Sequence, residues 1–189
     1  RPHISPESAS MLTLVLAVAM VEAINEEVKD AKCYVKWPND IVLNSKKISG
    51  TLTEMSAEMD AIHYVVIGIG INVNTTDFDE SIKDMATSIY LETGTKVKRS
   101  SIIAAFSKSF KKYYEAFLET EDLTLLIDRY NEILINKGRT VKAIYANKEL
   151  IGEALGINKD GELIIKTEDG ASVAIRAGEV SVRGLYGYV

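Results

Sequence analysis

The sequence predicts an α+β chain in which a mixed helix-and-sheet region, residues 1–137, is followed by a small β-barrel, residues 138–189. Three observations predict it. The run Met11 to Val21 is almost wholly apolar and reads as a central buried helix. Two β-rich stretches, 34–54 and 63–74, carry strand patterns broken by polar turns. Beyond Gly138, five short strand patterns alternate with turn residues, a unit of SH3-like size. With 189 residues the chain can bury a sizeable core.

Composition narrows the function classes. The chain is 47% apolar and 26% charged, ordinary for a globular protein. A net charge of −5 gives no electrostatic footprint for nucleic acid. Cys33 stands alone, which excludes an internal disulfide framework and fits a reducing, cytoplasmic compartment. It has no identifiable partner base and reads as a small buried apolar residue. With His3, His63 and one Cys, no metal-ligand cluster is visible, so no metal residues are assigned. The apolar run is too short to span a bilayer, and no membrane association is expected.

The elements follow in order. Ser5-Pro6-Glu7 reads as a helix entry, with Ser as N-cap and Pro at the first helical position. His63 to Asn74 is a long β-branched run and reads as a buried strand. Gly68 and Gly70 inside it suggest close approach of a ligand or another strand. This is no dinucleotide fingerprint, because the third Gly is absent and no helix opens after it. Ser81 to Leu91 reads as a short helix closed by Gly94. Ser100 or Ser101 then caps an amphipathic helix with Ile102, Phe106, Phe110, Tyr113 and Phe117 on one stripe. A second amphipathic segment, Leu123 to Leu134, ends at Asn136-Lys137-Gly138, with Gly as C-cap. The last strands are expected at 140–145, 150–157, 163–166, 173–175 and 180–185, with turns at Ala146-Asn147-Lys148, Asp160-Gly161 and Asp169-Gly170.

The chemistry concentrates in Tyr34-Val35-Lys36-Trp37-Pro38-Asn39-Asp40-Ile41-Val42-Leu43 and the residues that follow to Glu54. Pro38 lacks an N–H and must sit at an edge or a break in strand pairing. Asn44-Ser45 supply a turn, and the strand resumes by Ile48. Asp40 and Lys47 face each other across that turn in sequence, so the spacing allows one shared neighbourhood. Alternation does not fix their faces, since Pro and turn both disturb the count. An arbitrary hairpin can carry Lys and Asp at such places. The cluster of Lys36, Asn39, Asp40 and Lys47 at a break in a sheet is what points to a ligand.

Lys36-Trp37-Pro38-Asn39-Asp40, then Lys47-Ile48-Ser49-Gly50, then Gly68-Ile69-Gly70-Ile71-Asn72 resemble, in order and spacing, the central motifs of the biotin–protein ligase family (biotin–[acetyl-CoA-carboxylase] ligase). Gly178-Glu179-Val180-Ser181-Val182-Arg183 looks like its C-terminal signature. The resemblance implies a class II aminoacyl-tRNA synthetase-like catalytic domain followed by an SH3-like domain. It implies that biotin and ATP, with Mg2+ accompanying the nucleotide, form biotinoyl-5′-adenylate. The biotinoyl group would then pass to a lysine of a biotin carboxyl carrier protein.

By the same resemblance Lys47 takes the catalytic lysine position, and Asp40 the position that helps deprotonate the acceptor lysine. Asn39 and Asn72 match adenylate contacts, and Gly50 lets backbone approach the ligand. Lys36 and Trp37 belong to the same motif, either as ligand contacts or as packing. Glu179 and Arg183 match C-terminal residues that reach toward the nucleotide; a surface ion pair is their ordinary alternative. The resemblance places a Gly-Arg-rich biotin loop upstream of the central helix, and no such run occurs in this sequence. The chain is therefore expected to begin inside the catalytic domain. An uncovered sheet edge and homodimerisation are expected to follow. DNA binding is expected only through an upstream winged-helix domain that this sequence lacks. The alternatives are a catalytically incompetent fragment or binding module of the same family, and a lipoate-type ligase or transferase on the same fold. Lipoate-type enzymes lack the Lys-Trp-Pro-Asn-Asp block.

Overall fold

The computed structural model describes residues 1–58, 61–145, 148–176, 180–184 and 188–189, with backbone alone for 145, 148 and 180–184. Pro6–Ala9 forms α1, capped by the Ser5 side chain, which accepts the Ser8 N–H at 3.1 Å. Leu12–Glu27 forms α2 and is the centre of the core: from Leu14 to Val21 every residue is buried. Helical residues from Pro6 to Glu27 together are long and apolar enough to cross a membrane, further than the apolar run alone suggests. Here 72% of that window is buried inside the protein, so the helix spends its apolar surface on the fold.

Four strands make the first sheet: β1 (Cys33–Lys36), β2 (Asp40–Leu43), β3 (Lys46–Ala57) and β4 (Ile62–Ile71). They pair antiparallel in the order β1-β2-β3-β4, which leaves β4 as an outer strand. One face packs under α2 through Val35, Ile41, Leu43 and Ile48. Thr13 of α2 and Thr53 of β3 share a hydrogen bond of 2.7 Å across that contact. β4 departs from the buried strand expected of its β-branched run. Val65, Ile67, Ile69 and Ile71 pack on the core, while Tyr64 and Val66 are exposed. The run is apolar on both sides, but only one side is covered.

The helices that follow also differ in their ends. Only Ile89–Thr93 is helical (α3), with Ser88 as its cap and Gly94 left-handed after it; residues 80–85 form turns. Arg99–Thr120 is α4, and its first turn carries no side-chain cap. Ser101 instead donates its hydroxyl back to Lys98 O at 2.9 Å, so neither Ser100 nor Ser101 is the N-cap. Ile102, Tyr113 and Phe117 are buried against α2, and Phe106 and Phe110 stack half-buried beside them. Ile127–Ile133 is α5, ending at Leu134 in extended conformation. Gly138, four residues later, has φ +74° and starts the second sheet by donating to Ala154 O at 2.7 Å.

That sheet comprises β5 (Thr140–Tyr145), β6 (Lys148–Ile157), β7 (Leu163–Thr167), β8 (Ser172–Ile175) and β9 (Val180–Gly184), all antiparallel in the order β8-β7-β6-β5-β9. The expected turn residues Ala146 and Asn147 lie outside the described residues. One hydrophobic cluster runs through both sheets, from Val15 and Trp37 to Leu163 and Ile165. The turn after β6 is a joint between them. Gly161 has φ +76°, and a Cβ there would sit 3.2 Å from Leu14 and 3.3 Å from Leu123. Its carbonyl accepts the Trp37 indole N–H at 3.0 Å.

Candidate active site

Alternation along β3 breaks once. Ile41 pairs with Ser49 and Val42 with Lys47, so Ile48 is the extra residue of a β-bulge. Ile48 enters the core, and Ser49 beside it is also buried. The alternation therefore restarts, and Lys47 and Gly50 emerge on the same face although they are three positions apart. Asp40 lies opposite Gly50 in the register and brings its carboxylate to the same spot. The Lys47 ammonium sits 2.5 Å from Asp40 Oδ1, an ion pair off the direction of a regular hydrogen bond. The Lys47 side chain is 40% exposed and that of Asp40 is 12% exposed, so one partner faces solvent and the other is sunk. The far side of Lys47 is fixed by main chain. Its N–H donates to Met85 O at 2.7 Å, and its carbonyl accepts from Thr87 N–H at 2.9 Å.

Gly50 is the reason the pair fits. A Cβ at that position would lie 3.0 Å from both Cε and Nζ of Lys47 and 3.3 Å from Asp40 Oδ1. Gly68 and Gly70 continue the same face on β4. Above a Cβ at 68 the nearest atom would be Leu52 O at 4.0 Å, and above one at 70 nothing lies within 4 Å. Among the described residues no side chain packs over these two glycines, so the face above them is open. The result is a shallow groove of about 540 Å³ bordered by Asn39, Lys47, Gly50, Leu52, Gly68 and Gly70. A second cavity, about 300 Å³ between the start of α2 and the second sheet, shares no residue with it.

The remaining residues of the Lys-Trp-Pro-Asn-Asp block divide by role. Asn39 clamps the turn: its side-chain N–H donates to Thr51 O at 2.8 Å, and its carbonyl accepts from Thr51 N–H at 3.0 Å. Trp37 is not on the groove. It is 1% exposed, its main-chain N–H donates to Asn136 Oδ1 at 2.9 Å, and its ring belongs to the joint with the second sheet. The Trp37–Pro38 peptide is cis. Lys36, buried opposite Asp40 in the register, places its ammonium 4.2 Å from the centre of the Tyr188 ring. Tyr188 in turn donates its hydroxyl to Asp40 Oδ2. No motif of the sequence singled out Tyr188, and its only signal there is an aromatic residue close to the C-terminus.

Asn72 lies one residue past β4. Its main chain bonds Ile48 O at 2.8 Å and Ile89 N–H at 3.0 Å, while its side chain has no hydrogen-bond partner among the described residues. The main chain of Arg183, in β9, pairs with that of Lys142 in β5, and Glu179 lies outside the described residues. Cys33 is buried, and burial pushes its thiol up to about 12, the state of an inert packing residue. Among the described residues no three His, Cys, Asp or Glu side chains converge as a metal site.

Known proteins match this chain in both sequence and fold. The sequence profile of the Biotin/lipoate A/B protein ligase family matches residues 1–72, and that of the biotin protein ligase C-terminal domain matches residues 138–183. The crystal structure of biotin protein ligase from Aquifex aeolicus superposes with a TM-score of 0.82 at 30% identity, over 95% of this chain and 77% of that one. The chain belongs to the biotin protein ligase family. The A. aeolicus enzyme in complex with biotin and ATP superposes with a TM-score of 0.79 at 30% identity, over 92% of this chain and 71% of that one. The bifunctional ligase/repressor BirA of Bacillus subtilis is 39% identical over 172 residues, 90% of this chain and 52% of its own length. Its Escherichia coli namesake is 32% identical over 178 residues, 94% of this chain and 54% of its own length. The chain thus spans about half the length of these curated relatives.

Proposed function

We propose that the chain carries the adenylate-handling part of a biotin–protein ligase. The observation that supports this best is the Asp40–Lys47 pair set over the floor of Gly50, Gly68 and Gly70. In the reaction, the biotin carboxylate attacks the α-phosphorus of ATP and pyrophosphate leaves. The acyl carbon of biotinoyl-5′-adenylate is then attacked by a lysine amine of a biotin carboxyl carrier protein, and AMP leaves. The Lys47 ammonium offsets the negative charge that crowds the phosphoryl centre and the carboxylate approaching it. Asp40 accepts the proton that the carrier lysine must lose, since a free lysine with a pKa of about 10.4 is mostly protonated near neutrality. Asn39 borders the groove; Asn39 and Asn72 are assigned to the adenylate, and Arg183 and Glu179 to the nucleotide, by the motifs they share with the family. Magnesium arrives on the ATP phosphates. The outer edge of β4, with no strand paired to it among the described residues, supports pairing of two copies into a homodimer.

The test is calorimetric titration of the chain with biotinoyl-5′-adenylate, beside a Lys47→Ala variant. The wild type is expected to bind. The variant is expected to bind roughly 10- to 100-fold more weakly, the loss of one charged hydrogen bond or ion pair in a groove. Equal affinity in the two proteins would remove Lys47 from the site. Absence of binding by a folded wild-type chain would sink the proposal.

A further inference from the structure

We propose that Tyr188 is a positioning residue for the Asp40–Lys47 pair, an inference that rests on the function proposed above. A carboxylate has two oxygens, and at 12% exposure neither is freely solvated, so each needs a partner. Lys47 takes Oδ1, and the Tyr188 hydroxyl donates to Oδ2. Two partners on two oxygens fix the rotation of the carboxylate about its last bond, a torsion that is otherwise broad. The tyrosine is itself anchored. Lys36, which faces Asp40 across β1 and β2, holds its ammonium 4.2 Å from the ring centre, within cation–π range. Lys36 is buried, so the aromatic face replaces part of the water its charge has lost. The ring and the hydroxyl thus do different work: the ring serves Lys36 and the hydroxyl serves Asp40. This gives the buried Lys36 of the Lys-Trp-Pro-Asn-Asp block a role as the anchor of the tail.

Tyr188→Phe keeps the ring and removes the donor, so it isolates the hydroxyl. Two measurements test it. In the first, biotinoyl-5′-adenylate is supplied preformed and single-turnover transfer to a carrier domain is timed. The Phe variant is expected to melt at the wild-type temperature and bind the adenylate within twofold, yet to transfer about tenfold more slowly, the loss expected when a reacting group is held less firmly. In the second, Lys47 is acylated by a water-soluble ester and its modification is compared by mass spectrometry with that of exposed Lys29 in the same digest. Freed from a fixed carboxylate, Lys47 is expected to react about threefold faster or more in the Phe variant, with Lys29 unchanged.

Unchanged transfer and unchanged Lys47 labelling would overturn the positioning role. Faster transfer would overturn it too, and would make the tail an obstruction to the acceptor lysine. Wild-type protein that neither binds the adenylate nor transfers from it defeats the ligase reading, while the labelling result still decides whether Tyr188 holds the pair.

Discussion

The two faces of the four-stranded sheet are made from alternate residues of the same strands, yet they do opposite jobs. The covered face presents Val35, Ile41, Leu43 and Ile48 to α2 and is dry. The open face presents Lys47, Asp40 and three glycines, with Leu52 left 65% exposed. One side is packed against the core, and the other is left open to solvent. A single inserted residue, Ile48, links them. It fills the core and, by resetting the alternation, sends Lys47 to the open side.

That contrast can be broken by substitution on either side. The largest effect is expected from Trp37→Ala at the joint on the covered side. It should cost about 3–5 kcal/mol of stability in urea denaturation, from the cavity and the unpaired Gly161 carbonyl. Gly50→Val comes next and should act on the site more than on the fold. The atoms it meets first are the far end of the flexible Lys47 side chain, which can yield. Affinity for biotinoyl-5′-adenylate should fall about tenfold or more by calorimetry, while stability changes by about 1 kcal/mol or less. A larger stability loss than affinity loss would show that the two faces are not separable at Gly50.

Smaller effects sharpen the comparison. Asn39→Ala removes the side-chain bond to Thr51 O and should cost about 1 kcal/mol in the same denaturation experiment. Leu52→Lys on the open face should change stability by about 0.5 kcal/mol or less, as expected of an exposed side chain. Cys33 should show no labelling by a disulfide reagent at neutral pH until denaturant is added. The thiolate is the reactive form, and burial holds the folded group protonated far above neutrality, its pKa raised from 9.0 to about 12.

Much of this was open to reading in the primary structure, for reasons of pattern. An apolar run with no polar face can only be a central helix, and α2 is one. Turn residues between short β-branched runs mark a meander, and the five strands from Thr140 onward fall close to the expected limits. Helix ends were less legible. The short polar stretch before Ile89 satisfied a helical pattern but packed too little surface to form one, and it became turns. The β-branched composition of β4 looked doubly buried because composition reports what a strand can bury, not what covers it.

The sequence by itself determined the residue types of the site and their order along the chain, because motif spacing is a property of the chain alone. Which of them meet was decided by tertiary structure. Asp40 and Lys47 share a face only because Ile48 is spent on the core, and periodicity carries no trace of a bulge before strands pair. Trp37 left the groove for the joint because its ring fills the space under Gly161, a turn more than a hundred residues away. Tyr188 reached Asp40 from the far end of the chain by the same long-range closure, which no local pattern encodes.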